Sequence, residues 1–380
     1  MAGPLAGVRI IEFEGLGPAP FAGMMLADHG AEVIRITRPG HAGLLSAIAA
    51  TDVFARSRRR VAIDMKSAEG LQTVRDLCAS AHGLIEGFRP GVMERLGLGP
   101  DVLLGLNPAL VYGRITGWGQ DGPLAQAAGH DINYIAINGV LHTVGVRGGK
   151  PVPPMNYVGD FGGGGMLLAF GMVAALLAAK TTGAGQVIDA AMVDGSALLS
   201  GMTWQLANAG AWNDAPGTNW LDGGSHFYDT YVCSDGGFVA IGAIEPQFYA
   251  LLRGALGLAD DPDFDAQMDP AGWPALKDKI AAIIATETRD HWTALMEGTD
   301  ICFAPVMTLA EAPGHHHVAA RGTFIQVGGQ TQPAPAPRFS GAPAAAPVAT
   351  GTESHADAVL AAIGYDPARI SALRDAGVVR

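Results

Sequence analysis

The sequence predicts an α/β protein, a doubly wound parallel sheet accompanied by a smaller α+β domain. Three observations carry that expectation. Across the first 115 residues strand-like apolar runs alternate with helical patterns. After Gly148 the alternation gives way to long helical stretches and a hairpin. The composition, 49% apolar and only 16% charged over 380 residues, supplies enough burial for two cores.

Taken in order, the patterns predict a strand over 8–13, a helix over 21–29 and a strand over 32–36. After a longer excursion come a helix over 69–79, a strand over 83–88, a short helix over 92–96 and a strand over 110–115. Such alternation builds right-handed βαβ units. An apolar helix follows over 166–179. Gly162 to Gly165 precede it and, at about 1 kcal/mol each in a helix interior, are expected to stay outside, leaving about 14 residues, a buried core helix too short to span a membrane. A strand over 186–189 and mostly helix over 190–209 lead to strands over 228–233 and 238–241. Ser234-Asp235-Gly236-Gly237 joins those two as a hairpin turn. Helices over 246–256 and 274–296 follow, then a Pro/Ala-rich stretch with Pro333, Pro335, Pro337, Pro343 and Pro347, then short helices over 355–363 and 367–376. The expected domains are a large one over 1–190 completed by about 330–380, linker helices over 191–224, a small α+β domain over 225–325 and an extended connector over 326–350.

The net charge of −12 excludes general nucleic-acid binding. Residues 1–100 carry 11 basic and 10 acidic side chains, so the acidic excess lies entirely beyond them and an anionic ligand belongs to the N-terminal part. Cys78, Cys233 and Cys302 are odd in number and far apart, which predicts unpaired core thiols in a reducing compartment. No secretory leader or peroxisomal tail is visible, so the expected location is cytoplasmic.

Gly15-Leu16-Gly17-Pro18-Ala19-Pro20 sits where a dinucleotide-binding loop would, but it lacks the third glycine and two of its N–H groups, so a nicotinamide cofactor is not expected. Positive charge gathers at predicted strand ends: Arg35 and Arg38, then Arg56, Arg58, Arg59, Arg60 and Lys66, then Arg89 beside the helix predicted near Pro90. Ligands of open parallel sheets bind there, and a phosphate-bearing group fits. His315-His316-His317 cannot all face one ion, and no Cys, Asp or Glu is spaced beside them as a zinc ligand, so no metal is expected. His130 and Asp160 each precede a helical pattern, with Asp131 as the N-cap in the first. The helix dipole should hold His130 neutral, whereas glycine-lined surroundings should raise the pKa of Asp160. Glu245, ending a predicted strand, could orient a histidine.

Gly129-His130-Asp131-Ile132-Asn133-Tyr134, Leu221-Asp222-Gly223-Gly224, Ile244-Glu245-Pro246-Gln247-Phe248 and Phe88-Arg89-Pro90-Gly91-Val92-Met93-Glu94 together resemble the α-methylacyl-CoA racemase branch of the family III CoA-transferase superfamily, from about residue 4 to 330. The resemblance implies an interlocked homodimer and acyl-CoA thioesters branched at C2, handled without a separate cofactor in lipid metabolism. It implies His130 and Asp160 as catalytic acid/bases and Glu245 as the partner of His130. It implies CoA contacts from Arg38, from Ile63, Asp64, Met65 and Lys66, from Arg89, and from Gly129, Asp131, Ile132, Asn133 and Tyr134. The chain departs from the family over 40–59 and at Ser225-His226, where Ala-Pro is common. Inversion at C2 needs one unprotonated and one protonated group on opposite faces, which that pair supplies. A CoA-transferase using Asp160 as nucleophile would not need His130. A non-catalytic acyl-CoA-binding protein would have no use for His130, Asp160 and Glu245 together.

Overall fold

The computed structural model describes residues 3–40, 52–349, 351 and 353–380; part of the atypical 40–59 stretch therefore lies outside the described residues. Two compact units are present. The first comprises Met1–Asn138, Met155–Leu199 and Gly322–Arg380, the second Gly139–Pro154 and Ser200–Arg321. The excursion over 139–154 into the second unit is announced by no shift in composition.

In the first unit β1 (Arg9–Phe13), α1 (Pro18–Asp28), β2 (Glu32–Thr37), β3 (Arg59–Ala62), α2 (Ala68–Ala79), β4 (Gly83–Glu86), α3 (Val92–Arg95), α4 (Pro100–Leu106) and β5 (Val111–Thr116) follow one another. α5 (Asp131–Ile137), α6 (Leu167–Thr182), β6 (Gln186–Ala191) and α7 (Met192–Leu199) complete the body of the unit. The six strands form one parallel sheet in the order β3-β2-β1-β4-β5-β6. Its direction of growth reverses between β1 and β4, and such a switch point opens a crevice beyond the carboxyl ends of the strands. Successive residues of β1 serve opposite faces. Ile11 and Phe13 pack with Val74 and Leu77 of α2, whereas Ile10 packs with Ala22 and Leu26 of α1 and with Leu168 and Met172 of α6. Both faces are covered, which is why these strands read as continuous apolar runs.

The long apolar helix differs from expectation. A π-helix runs over Tyr157–Met166 and continues without a break into α6, giving 26 helical residues through Thr182, enough by length and composition to cross a bilayer. The glycines are inside it because α7 lies against them: a Cβ on Gly163 would strike the Ser196 backbone, and one on Gly195 the Gly163 carbonyl. Close packing thus overrides propensity. Leu168, Ala169, Met172 and Ala175 are buried in the first unit, but Phe170, Val173 and Leu177 face outward, so the helix is half core and half exposed.

The second unit holds α8 (Gly201–Asn208), β7 (Tyr228–Val232), β8 (Phe238–Gly242), α9 (Pro246–Ala255), α10 (Trp273–Ile284), α11 (Arg289–Met296), β9 (Phe303–Val306) and α12 (His316–Arg321). The expected hairpin is present and gains β9 as an unanticipated third, antiparallel strand. Phe227, Phe264, Trp273 and Trp292 fill the core between this sheet and its helices. Ser225 and His226 are fully buried in it. Cys78 and Cys233 are buried as expected, but Cys302 is exposed.

The expected connector begins as structure: β10 (Phe324–Val327) and β11 (Gln330–Pro333) form a hairpin. Beyond it α13 (Ala356–Ala361) and α14 (Pro367–Asp375) return to the first unit, where Val379 bridges Ile63 and Leu360, Ile370 and Leu373 enter the α2-side core.

Candidate active site

The site starts from the carboxyl edge of the parallel sheet. β1 ends into Gly15-Leu16-Gly17, where Gly17 has φ 69° and the chain turns into α1. A side chain on Gly17 would sit 3.4 Å from the Asp160 Oδ2 atom, so this turn lies directly against the Asp160 carboxyl. Asp160 lies within the π-helix rather than capping a helix. Such helices are rare, and here one brings the Asp160 carboxyl against the Gly17 turn. The neighbouring Phe161 ring is held between Phe21 of α1 and Phe54, at centroid separations of 5.0 and 5.4 Å, which fixes the backbone that carries the carboxyl.

His130 is the N-cap of α5, with extended backbone and an exposed side chain. Its N–H donates to Asn133 Oδ1 at 3.0 Å, so Asn133 secures the turn that presents the imidazole. Asp131, expected as the cap, is instead the first helical residue and is buried. Its Oδ2 accepts the Asp160 N–H at 2.7 Å, tying the His130 turn directly to the Asp160 segment. Gly159 permits this, because any side chain there would collide with the Asp131 carboxylate. Asn156 Nδ2 donates to Asp160 Oδ2 at 3.1 Å. Burial raises the Asp160 pKa above the ordinary carboxylate value; the Asn156 hydrogen bond and the His130 charge work against this, and the Asp131 charge adds to it. Two acid/base groups in different environments therefore share one unit, with Asp131 between them.

The strand ends place the expected ligand-binding segments along the same edge. Arg38 follows β2, Ile63 to Lys66 follow β3 and Arg89 follows β4. Arg38, Lys66 and Arg89 are exposed and enter no ion pair among the described residues. The Ile63 side chain is buried in the core, leaving only its backbone for a ligand, while Asp64 Oδ1 accepts the Lys66 N–H at 3.0 Å. Phe88 N–H donates to the buried Glu86 carboxylate at 2.7 Å, which also holds Arg114 at 2.7 Å, so the turn into Arg89 is anchored from below. The expected contribution of a helix dipole beside Arg89 falls away: α3 is a single turn of four residues. Tyr134 donates its hydroxyl proton to the Gly129 carbonyl and stacks edge-on against Trp118 at 4.8 Å. Gln126 Nε2 donates to the Pro90 carbonyl at 3.2 Å, tying the turn after Arg89 to the loop that leads to Gly129.

Most of the basic 56–60 run does not face a ligand. Arg56 pairs with Asp28 and Arg58 with the fully buried Glu12 at 3.0 Å, which also pairs with Arg35 at 3.1 Å. These three arginines hold α1, β1 and β2 to the segment before β3. Glu245 caps α9 in the second unit and is exposed. Asn156 and Asp131, the groups that set the Asp160 environment, escaped the sequence reading in those roles. Their proximity to Asp160 in sequence and motif was the available signal.

The model of CoA-transferase family III matches residues 5–353. The chain is 47% identical to a mouse protein named alpha-methylacyl-CoA racemase and 44% identical to its human namesake, each over 90% of this chain and 87% of the relative. A solved CAIB/BAIF family protein from Brucella suis shares the fold, with a TM-score of 0.81 at 24% identity over 96% of this chain and 100% of that one. Fold, motif order and these likenesses agree: the chain belongs to CoA-transferase family III.

Proposed function

We propose that the protein is an α-methylacyl-CoA racemase, inverting the C2 centre of 2-methyl-branched acyl-CoA thioesters by proton transfer through an enolate. The observation that carries this reading is the His130–Asp131–Asp160 constellation, an exposed imidazole and a half-buried carboxyl with a raised pKa joined by one hydrogen-bonded aspartate. One group takes the α-proton and the other, already protonated, returns a proton to the opposite face. A single turnover exchanges their protonation states, so the enzyme is then poised for the other epimer or reset by solvent.

The enolate oxygen needs preorganised donors, each worth about 3–4 kcal/mol. Asp160's own N–H is unavailable, being spent on Asp131. The opening amides of α5, at Asp131 and Ile132, have no carbonyl four residues back within the helix and are the donors left beside His130. Arg38, Lys66 and Arg89 would receive the CoA phosphates, with Asp64, Met65 and the Gly129 to Tyr134 segment along the same edge. No separate cofactor enters the chemistry. The exposed Phe170, Val173 and Leu177 of α6 fit a homodimer, and three unpaired cysteines fit the reducing cytoplasm.

The test is incubation with (R)- or (S)-2-methylacyl-CoA without any carboxylic acid acceptor. Formation of both epimers from either one is expected. Acceptor-dependent movement of CoA between acids, with C2 untouched, would instead make Asp160 the nucleophile of a transferase.

A further inference from the structure

Away from this site, the second unit gathers a set of metal-ligating side chains that the sequence spacing hides. Glu297, directly after α11, is 18 residues from His315, which stands at the start of α12 with His316. His315 Nε2 lies 2.7 Å from Glu297 Oε1 and His316 Nδ1 lies 3.7 Å from Glu297 Oε2. One ligand atom from each residue falls within 4.8 Å of the other two. The two imidazole rings are 4.7 Å apart and inclined by only 32°, so both present a nitrogen to the same carboxylate. Only two of the three histidines converge, and their acidic partner comes from the end of another helix.

We propose that Glu297, His315 and His316 form a binding site for a divalent transition ion, zinc above all. Two imidazoles and a carboxylate suit zinc, nickel and copper and disfavour magnesium and calcium. Metal–ligand bonds of about 2.0–2.2 Å place tetrahedral ligand atoms about 3.4 Å apart, so ligand atoms that lie within 4.8 Å of one another need adjustments of up to about 1.4 Å, within reach of side-chain rotation. The ion takes the place of the His315–Glu297 hydrogen bond. Ligation through Nε2 puts the His315 proton on Nδ1, which is buried without an acceptor, a cost that the metal bonds have to exceed. Three protein ligands leave the fourth position to water. The loop so closed carries β9, and its far side is already pinned by Arg289 holding Glu311 at 2.6 Å. The ion therefore acts as a clasp on the third strand of the small sheet, a stabilising role because it closes a long loop.

The experiment uses the full chain without a polyhistidine tag, titrated with Zn²⁺ by calorimetry and with Co²⁺ by visible absorption, and melted with and without Zn²⁺. One ion per chain, tetrahedral cobalt bands and a higher melting temperature with Zn²⁺ are expected. Glu297→Gln and His316→Ala should each weaken binding by at least about a hundredfold, above the usual effect of losing a supporting group, while His317→Ala should leave it unchanged. His316 is exposed, so its replacement tests the site without disturbing the core. Absence of binding in the wild-type chain, or equal affinity and equal thermal response in Glu297→Gln and His316→Ala, would overturn the proposal.

Discussion

Asp131 serves Asp160 twice, as the acceptor of its N–H and as a neighbouring negative charge that raises its pKa. Asp131→Asn separates the two, because the amide oxygen still accepts while the charge is gone. If Asp160 acts as the protonated acid, activity falls as pH rises through its pKa. The variant should therefore lose activity at lower pH than the wild type in a rate profile, and an unmoved or upward-shifted limb would detach Asp131 from the chemistry. Arg38 and Arg89 bear a different load. Each charge-assisted phosphate contact is worth about 1.5–3 kcal/mol, so Arg38→Ala and Arg89→Ala should each weaken CoA binding about ten- to a hundredfold in calorimetry, with the wild-type affinity falling as salt is raised. Unchanged affinity in both would move the CoA site elsewhere. The position of Arg38 after β2 and of Arg89 after β4 was legible in the sequence through the alternation of strands and charge, whereas the link from the His130 turn to Asp160 through Asp131 was not. Arg56 and Arg58 were misleading for a physical reason: their partners Asp28 and Glu12 are 28 and 46 residues away, and only the tertiary fold brings them together.

At the scale of elements, the contact between the π-helix and α7 depends on glycine at both surfaces. Gly195→Ala should destabilise the protein by about 1–3 kcal/mol, the usual range for overpacking, because the new methyl meets the Gly163 carbonyl. Gly254→Ala in α9, where a Cβ meets nothing within 4 Å, should be neutral or stabilising by up to about 1 kcal/mol. Thermal melts of the pair distinguish a packing requirement from a general cost of replacing glycine; equal effects would refute it. Helix propensity kept the glycine run out of the expected helix because it knows nothing of α7. β3 was equally hard to see: its Arg59 and Arg60 interrupt the apolar pattern at a sheet edge. The central strands, apolar on both faces, were plain.

For the molecule as a whole, stability should depend on pH through the core of the second unit. Tyr249 donates its hydroxyl proton to the Phe264 carbonyl at 3.1 Å and so accepts from His226 Nε2, 2.7 Å away, leaving His226 neutral with Nδ1 unpartnered. Burial, aided by the Lys277 charge, pushes its pKa down from 6.5 to about 4. The unfolded chain takes up a proton that the folded chain refuses. This contribution is therefore complete above about pH 6.5 and fades as pH falls toward 4, with a total on the order of 3 kcal/mol. His226→Gln should flatten that part of the curve in denaturant unfolding between pH 4 and 8; a curve as steep as wild type would assign the dependence to other groups. The division between units was less legible than the fold within them, since the chain crosses at Gly139, Met155, Ser200 and Gly322 without a compositional signal.

If His130 and Asp160 act as separate bases on opposite faces of C2, α-proton exchange in D₂O, read by mass spectrometry of each recovered 2-methylacyl-CoA epimer, distinguishes their roles. In His130→Ala and in Asp160→Asn, exchange should fall by about 10²–10⁴ for one epimer while persisting for the other, with the surviving epimer opposite in the two variants and no interconversion in either. Equal loss for both epimers in each variant, or exchange untouched by both substitutions, would contradict the two-base account.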